Sequence, residues 1–262
     1  ALEDYLTLLW SPGEKTPFKH VRKLLPGSYI KGSFDDFSQI HEKVYYDKVP
    51  NGSFLNITED ETIDQLDKLL TRAVERQLLS DVPVGFFLSG GLDSTLLVAI
   101  AKKLRPDIRF PCFTIDVNSG SSNVEGFSDD LYYANMAASH LGVELTTVKA
   151  NIDIVRDFDK MIWHLDEPQA DAAPLNVLNI AKIAKANNIK ILIGGTGGDD
   201  IFSGYRRHVA LNIEPLIEYL PMILRKCIVH LTKYLPVSLP LFRRVRKITN
   251  NLYNNQEDRL IG

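Results

Sequence analysis

A chain of 262 residues with 45% hydrophobic and 24% charged residues has the make-up of a globular protein, which excludes a disordered, collagen-like or disulfide-scaffold chain. At this length folding buries roughly 70–75% of the unfolded surface, so no metal or disulfide is needed for a core. The net charge of −3 weighs against a dominant nucleic-acid surface, and no run of 18 apolar residues or signal-like N-terminus calls for a membrane.

Residues 1–47 are rich in turns, at Ser11-Pro12-Gly13 and Leu25-Pro26-Gly27-Ser28. Short strands are expected at Ser28-Tyr29-Ile30 and Lys43-Val44-Tyr45-Tyr46, with no useful helix after the first ten residues. Residues 48–60, with Pro50, Asn51, Gly52, Ser53 and Asn56, read as a linker. From Glu61 the texture changes. Ile63, Leu66, Leu69, Leu70, Ala73, Val74 and Leu78 follow helical spacing behind an acidic start. Val82–Leu88 is a short apolar run suited to a buried parallel strand. Helices are then expected at Ser94–Leu104, Asp129–Leu141, Ile152–His164 and Leu175–Ala186. Strands are expected at Ile108–Ile115, Val143–Val148 and Ile189–Ile193, and another helix from Asp199. Strands alternating with helices predict an α/β fold, a parallel sheet with helices on both faces, behind a short β-rich segment.

Residues 211–262 read as a helical region broken by Pro221, Pro236 and Pro240. Seven Lys or Arg and no acid fall in 221–250; without interleaved aromatic platforms this is read as a solvated face or one turned to an acidic neighbour. Cys112 and Cys227 sit among apolar residues and are read as buried free thiols, consistent with a reducing, cytoplasmic compartment.

Ser89-Gly90-Gly91-Leu92-Asp93-Ser94-Thr95 follows an apolar strand and opens a helix. In an open parallel sheet, ligands bind beyond the carboxyl ends of strands. Two glycines let backbone N–H groups close on an anion, the Ser89, Ser94 and Thr95 hydroxyls add donors, and the helix start adds about half a positive charge. Such a site suits phosphate. Asp93 would repel a bare phosphate, so a bridging Mg²⁺ accounts for it. Neither Gly-x-x-x-x-Gly-Lys-Ser/Thr nor Gly-x-Gly-x-x-Gly occurs, which argues against Walker-type and dinucleotide-binding loops. Gly194–Gly198 repeats the strand–loop–helix arrangement, and Asp93 and Asp199 would then converge on one metal–triphosphate. Asp200 serves equally well as a cap.

Ser89–Thr95 resembles the PP-loop of ATP pyrophosphatases. Phe113-Thr114-Ile115, His164-Leu165-Asp166-Glu167-Pro168-Gln169-Ala170-Asp171 and Gly194–Tyr205 resemble, in that order, the adenine-pocket strand, the DEP-x-AD segment and the SGEGGDELFGGY loop of asparagine synthetases. Thr16-Pro17-Phe18, Lys23-Leu24-Leu25-Pro26-Gly27 and Tyr45-Tyr46-Asp47 resemble the end of that family's glutaminase domain and its linker. The resemblance implies a PP-loop synthetase domain over 61–210, the end of a glutaminase-like domain over 1–47, and a partial helical region over 211–262.

It also implies an activity. A carboxylate would attack the α-phosphate of Mg-ATP to give an acyl-adenylate and pyrophosphate, and ammonia from glutamine would form the amide. ATP and pyrophosphate would be held by Leu88, Ser89, Gly90, Gly91, Asp93, Ser94, Thr95, Ile115, Gly194 and Gly195. Mg²⁺ would be held by Asp93 and Asp199, and Asp166, Glu167 and Asp171 would shape the acceptor region. The partners implied are a small carboxylate such as aspartate, glutamine-derived ammonia and a second copy of the chain, with no nucleic acid and no membrane.

Thr196 stands where the family has an acid thought to handle the ammonia proton, and Asn176 replaces a common proline. A threonine hydroxyl is no base near neutral pH, so another group does this work or the acceptor differs. The resemblance further implies that the glutaminase cysteine and a phosphate-contacting lysine lie outside Ala1–Gly262, making this an internal piece of a larger enzyme. Three rivals remain: amidation of another carboxylate such as a uronic acid, a non-catalytic nucleotide-binding relative, and a tRNA-modifying PP-loop enzyme. The last calls for a catalytic cysteine near the second loop, where neither cysteine stands.

Overall fold

The computed structural model describes residues 2–36, 39–46, 55–116, 130–149, 154–171, 173–205, 217–236, 239–250 and 252. The chain forms two compact units, Ala1–Gly195 and Thr196–Gly262. The first opens with α1 (Leu2–Leu8) and an antiparallel pair, β1 (Ser28–Lys31) with β2 (His41–Val44). Most of the expected 48–60 linker lies outside the described residues.

The helix expected from Glu61 is α2 (Glu59–Gln77). It starts two residues earlier because Thr58 and Glu61 form a capping box, each side chain taking the other's backbone N–H. Then β3 (Val84–Phe87), α3 (Leu92–Leu104), β4 (Cys112–Asp116), α4 (Asp130–Leu141), β5 (Leu145–Lys149), α5 (Ile154–Leu165), α6 (Ala173–Ala186) and β6 (Ile191–Ile193) follow in chain order.

The four strands form one parallel sheet in the order β5-β4-β3-β6. Alternate residues point to opposite faces of a strand, and the two cores divide accordingly. Phe86, Cys112 and Ile193 face the layer of α2, α3 and α4 with Val74, Val98, Ala101 and Ala138. Phe87, Phe113, Leu192 and Val148 face Ile180 and Ala184 of α6. Near-continuous apolar strands are thus buried on both sides. Phe86 meets Phe110 edge-on at 5.3 Å.

The second unit begins with one helical turn, α7 (Gly198–Ile201), where a helix is expected from Asp199. It continues with α8 (Met222–Thr232) and α9 (Pro240–Thr249). Pro221 precedes α8 and Pro240 opens α9, positions where a missing N–H costs nothing. The two helices pack together, with the Thr232 and Thr249 hydroxyls 2.7 Å apart. No helix among the described residues is long and apolar enough to cross a membrane.

One expectation is corrected here. Cys112 is buried, but Cys227 is exposed. The apolar residues Ile223, Leu224 and Leu231 on the same helix are exposed with it.

Candidate active site

The strand order sets the site. The chain steps outward from β3 to β4 to β5, then returns to place β6 on the other side of β3. The order therefore reverses between β3 and β6, and ligands in such sheets bind in the crevice beyond the carboxyl ends at that reversal. The Leu88–Gly91 loop leaves β3 there, and Gly194-Gly195 leaves β6.

Leu88 is fully buried, and its N–H donates to the Phe113 carbonyl at 2.9 Å, which ties the loop's root to β4. Ser94 is also buried and cross-braces the loop. Its hydroxyl donates to the Gly91 carbonyl at 3.1 Å and accepts the Ser89 N–H at 3.3 Å, while the two serine hydroxyls lie 3.1 Å apart. The Gly91 N–H donates to Ser89 Oγ at 3.3 Å. Ser94 therefore directs its hydroxyl into the loop itself.

The glycines are demanded by packing as well as by ligand access. Gly90 has φ +83°, and a Cβ there would lie 2.5 Å from the Ala134 nitrogen and 2.7 Å from the Asp130 oxygen, so the loop is pressed onto the first turn of α4. A Cβ on Gly195 would lie 2.9 Å from both Asp93 Cβ and the Ser94 nitrogen. The loop after β6 is thereby seated against the first turn of α3, a contact that spacing alone did not disclose.

At the start of α3, Gly91 provides no side-chain cap. The first-turn N–H groups thus carry the helix's partial positive charge, with the Asp93 carboxylate as the acid of that turn, whereas α2 is fully boxed. Asp93 is half-buried in that turn. Its carboxylate lacks a hydrogen-bond or ion-pair partner among the described residues, as suits a group that ligates a hard cation alongside phosphate oxygens. No cluster of three His, Cys, Asp or Glu forms a protein-only metal cage among the described residues.

Leu88, Ser89, Gly90, Gly91, Asp93, Ser94, Thr95, Gly194 and Gly195 are thus gathered at the β3 and β6 edge. Ile115 stands near the carboxyl end of β4, on the face covered by α6. Asp166, Glu167 and Asp171 lie between α5 and α6, where Glu167 pairs with Lys23 and Asp171 accepts the Ala173 N–H at the start of α6. Thr196 and Asp199 belong to the second unit. There Gly197 adopts φ +94° ahead of α7, and the Asp199 carbonyl accepts the Gly204 N–H at 3.0 Å. Gly204 lies directly against the Asp199 side chain, and a Cβ there would be 2.9 Å from Asp199 Cγ.

A family model described as asparagine synthase matches residues 65–259. Asparagine synthetase [glutamine-hydrolyzing] 1 of Bacillus subtilis is 29% identical over 264 residues, covering 100% of this chain and 39% of that protein. The amidase chyE of Penicillium rubens is 29% identical over 211 residues, covering 75% of this chain and 30% of its own length. The chain thus spans about a third of the length of these curated relatives. Among solved structures, the U34-tRNA thiolase NcsA from Methanococcus maripaludis is similar at a TM-score of 0.39 and 14% identity, covering 64% of this chain and 56% of that one. A likeness that loose carries no functional weight.

Proposed function

The chain belongs to the asparagine synthase family, and on that premise we propose that it is the synthetase part of an ATP-dependent amidotransferase. In this reading 61–210 is the PP-loop synthetase domain, 1–47 ends a glutaminase-like domain, and 211–262 is part of a helical region. The observation that carries the reading is the start of α3 at the β3/β6 reversal, which Gly91 leaves without a side-chain cap, with Asp93, unpaired among the described residues, in its first turn.

The residues divide the work as follows. The N–H groups of the Gly90–Ser94 turn receive the triphosphate, and the Ser89–Ser94 braces hold them in place before it arrives. Ile115 and the root of the loop at Leu88 border the adenosine. By the resemblance, Asp93 and Asp199 would hold Mg²⁺, and the ion would neutralise phosphate charge when bound. The carboxylate acceptor is oriented in line with the α-phosphate, and that orientation is the chain's next contribution. The products are an acyl-adenylate and pyrophosphate, and glutamine-derived ammonia completes the amide in a reducing, cytoplasmic setting. A homodimer is the proposed assembly, with no nucleic acid or membrane involved.

Replacing Asp93 by alanine in the full-length protein tests this. Pyrophosphate release with aspartate, ATP and ammonia should fall by about 10²–10³-fold. Retained release would sink the reading.

A second reading concerns the acceptor. Thr196 occupies the place where the family has an acid, and one relative bears the name amidase rather than asparagine synthetase. Both favour a carboxylate other than aspartate, such as a uronic acid. The product's mass after incubation with aspartate or with a uronate sugar separates the two.

A further inference from the structure

The N-terminal segment reaches across to the loop that joins α5 to α6. Lys23 Nζ lies 3.0 and 3.2 Å from the two carboxylate oxygens of Glu167, donates to the Ser11 carbonyl, and stands 5.5 Å over the Trp10 ring. Beside it, the Ala170 N–H donates to the Leu9 carbonyl at 3.0 Å. The paired side chains are only 29% and 22% exposed.

Each end of this junction is braced. The Lys23 N–H donates to the Glu14 carbonyl at 2.8 Å, Lys15 and Arg22 form an antiparallel bridge, and Arg22 pairs with Glu14 at 2.5 Å. On the other side, Asp171 Oδ1 accepts the Ala173 N–H at 2.9 Å, fixing the loop to α6. Leu9 and Asp166 both adopt left-handed backbone at the junction, with φ 66° and 61°. Non-glycine residues keep that conformation only where their surroundings hold it. An exposed ion pair would matter little. A mostly buried one, with the ammonium enclosed by carboxylate, carbonyl and indole, leaves an uncompensated charge when one partner goes.

We propose that Lys23 and Glu167 form a strut that sets the conformation of the 166–171 loop, making Glu167 a positioning residue for the carboxylate acceptor. This rests on the reading of that loop as acceptor-side. Glu167 acts through the loop, because both its oxygens face Lys23. The N-terminal segment, 144 residues away in sequence, thereby holds the shape of the acceptor loop.

The test uses the full-length protein carrying Lys23→Met, Glu167→Gln, Lys23→Arg or the first two together. Amide hydrogen exchange over 166–171 should quicken about tenfold in each of Lys23→Met and Glu167→Gln. The double variant should be no worse than either single, because both remove one interaction. In aspartate-dependent exchange of pyrophosphate into ATP, the KM for aspartate should rise about tenfold while that for ATP stays within about twofold. Lys23→Arg should recover part of both effects. Unchanged hydrogen exchange over 166–171 in a folded single variant would overturn the strut. An equal rise in both KM values would overturn the positioning role. If Lys23→Met does not fold, Glu167→Gln carries the same comparison. A wild-type protein inert toward both aspartate and uronate sugars would count against the acceptor reading, and hydrogen exchange would still decide the strut.

Discussion

Gly195 sits against Asp93: a Cβ on the glycine would lie 2.9 Å from Asp93 Cβ and from the Ser94 nitrogen. The contact joins the loop after β6 to the turn that carries the proposed metal ligand. Alanine at 195 must push the first turn of α3 away, and the atoms it meets are backbone or the rigid root of a side chain. Gly195→Ala should lower stability by about 1–3 kcal/mol and reduce pyrophosphate release by about 100-fold through displacement of Asp93. Gly91→Ala is the control. Its φ is −68°, and the nearest atom to a new Cβ is Ser89 Oγ at 3.4 Å, an ordinary contact. It should cost less than about 1 kcal/mol. Thermal melts of the two variants check the contrast.

Gly204→Ala probes Asp199 within the second unit. The new methyl would overlap the Asp199 carboxylate and lie 3.2 Å from its Cα. The carboxylate can swing away by a χ1 change, so the cost to stability should stay near about 1 kcal/mol. The displaced oxygens would no longer meet the cation, and the Mg²⁺ concentration for half-maximal activity should rise about tenfold while the melting temperature barely moves. A metal titration at saturating ATP reads this; an unchanged half-point removes Asp199 from the ligand set.

The sheet was legible because its strands are short, apolar and separated by amphipathic helices. Val82–Leu88 pointed to β3 within two residues at its start, since a parallel strand buried on both faces needs that texture. Ile108–Ile115 overran because Ile108, although apolar, is 46% exposed on the turn that follows α3, and pairing begins only at Cys112. The Ser89–Thr95 loop was legible as a strand-to-helix turn, but the packing of Gly90 on α4 and Gly195 on α3 was not, as a glycine's neighbours leave no mark on its own identity. The pairing of Lys23 with Glu167 was not legible for a related reason: it depends on the path of the whole first unit, and neither residue belongs to a periodic pattern.

The two cysteines should differ sharply as nucleophiles. Burial without a compensating charge pushes the Cys112 thiol from 9.0 up to about 12, because the thiolate is the form that desolvation disfavours. Cys227 is exposed. A thiol reagent at neutral pH should therefore modify Cys227 in the native protein and reach Cys112 only after unfolding, as peptide mapping would show. The same shift has a sign for stability. The folded state keeps a proton that the unfolded state releases above 9.0, so the contribution is complete below that pH and is lost as pH rises toward 12.

Glu61 predicts the opposite limb. The Thr58 N–H, followed by the Thr58 hydroxyl, holds its carboxyl below 4.5. The folded state thus binds its proton less readily than the unfolded one, and the cap's ionic contribution is present above 4.5 and lost as pH falls through the lowered folded value. Glutamine at 61 keeps the reciprocal cap, since an amide oxygen also accepts the Thr58 N–H, but it has no proton to bind. Glu61→Gln should accordingly leave the fold intact at neutral pH and flatten the stability profile on the acid side, as measured by urea unfolding between pH 3 and 7. A wild-type profile and a variant profile that run parallel over that range would show that the carboxylate adds nothing the amide does not.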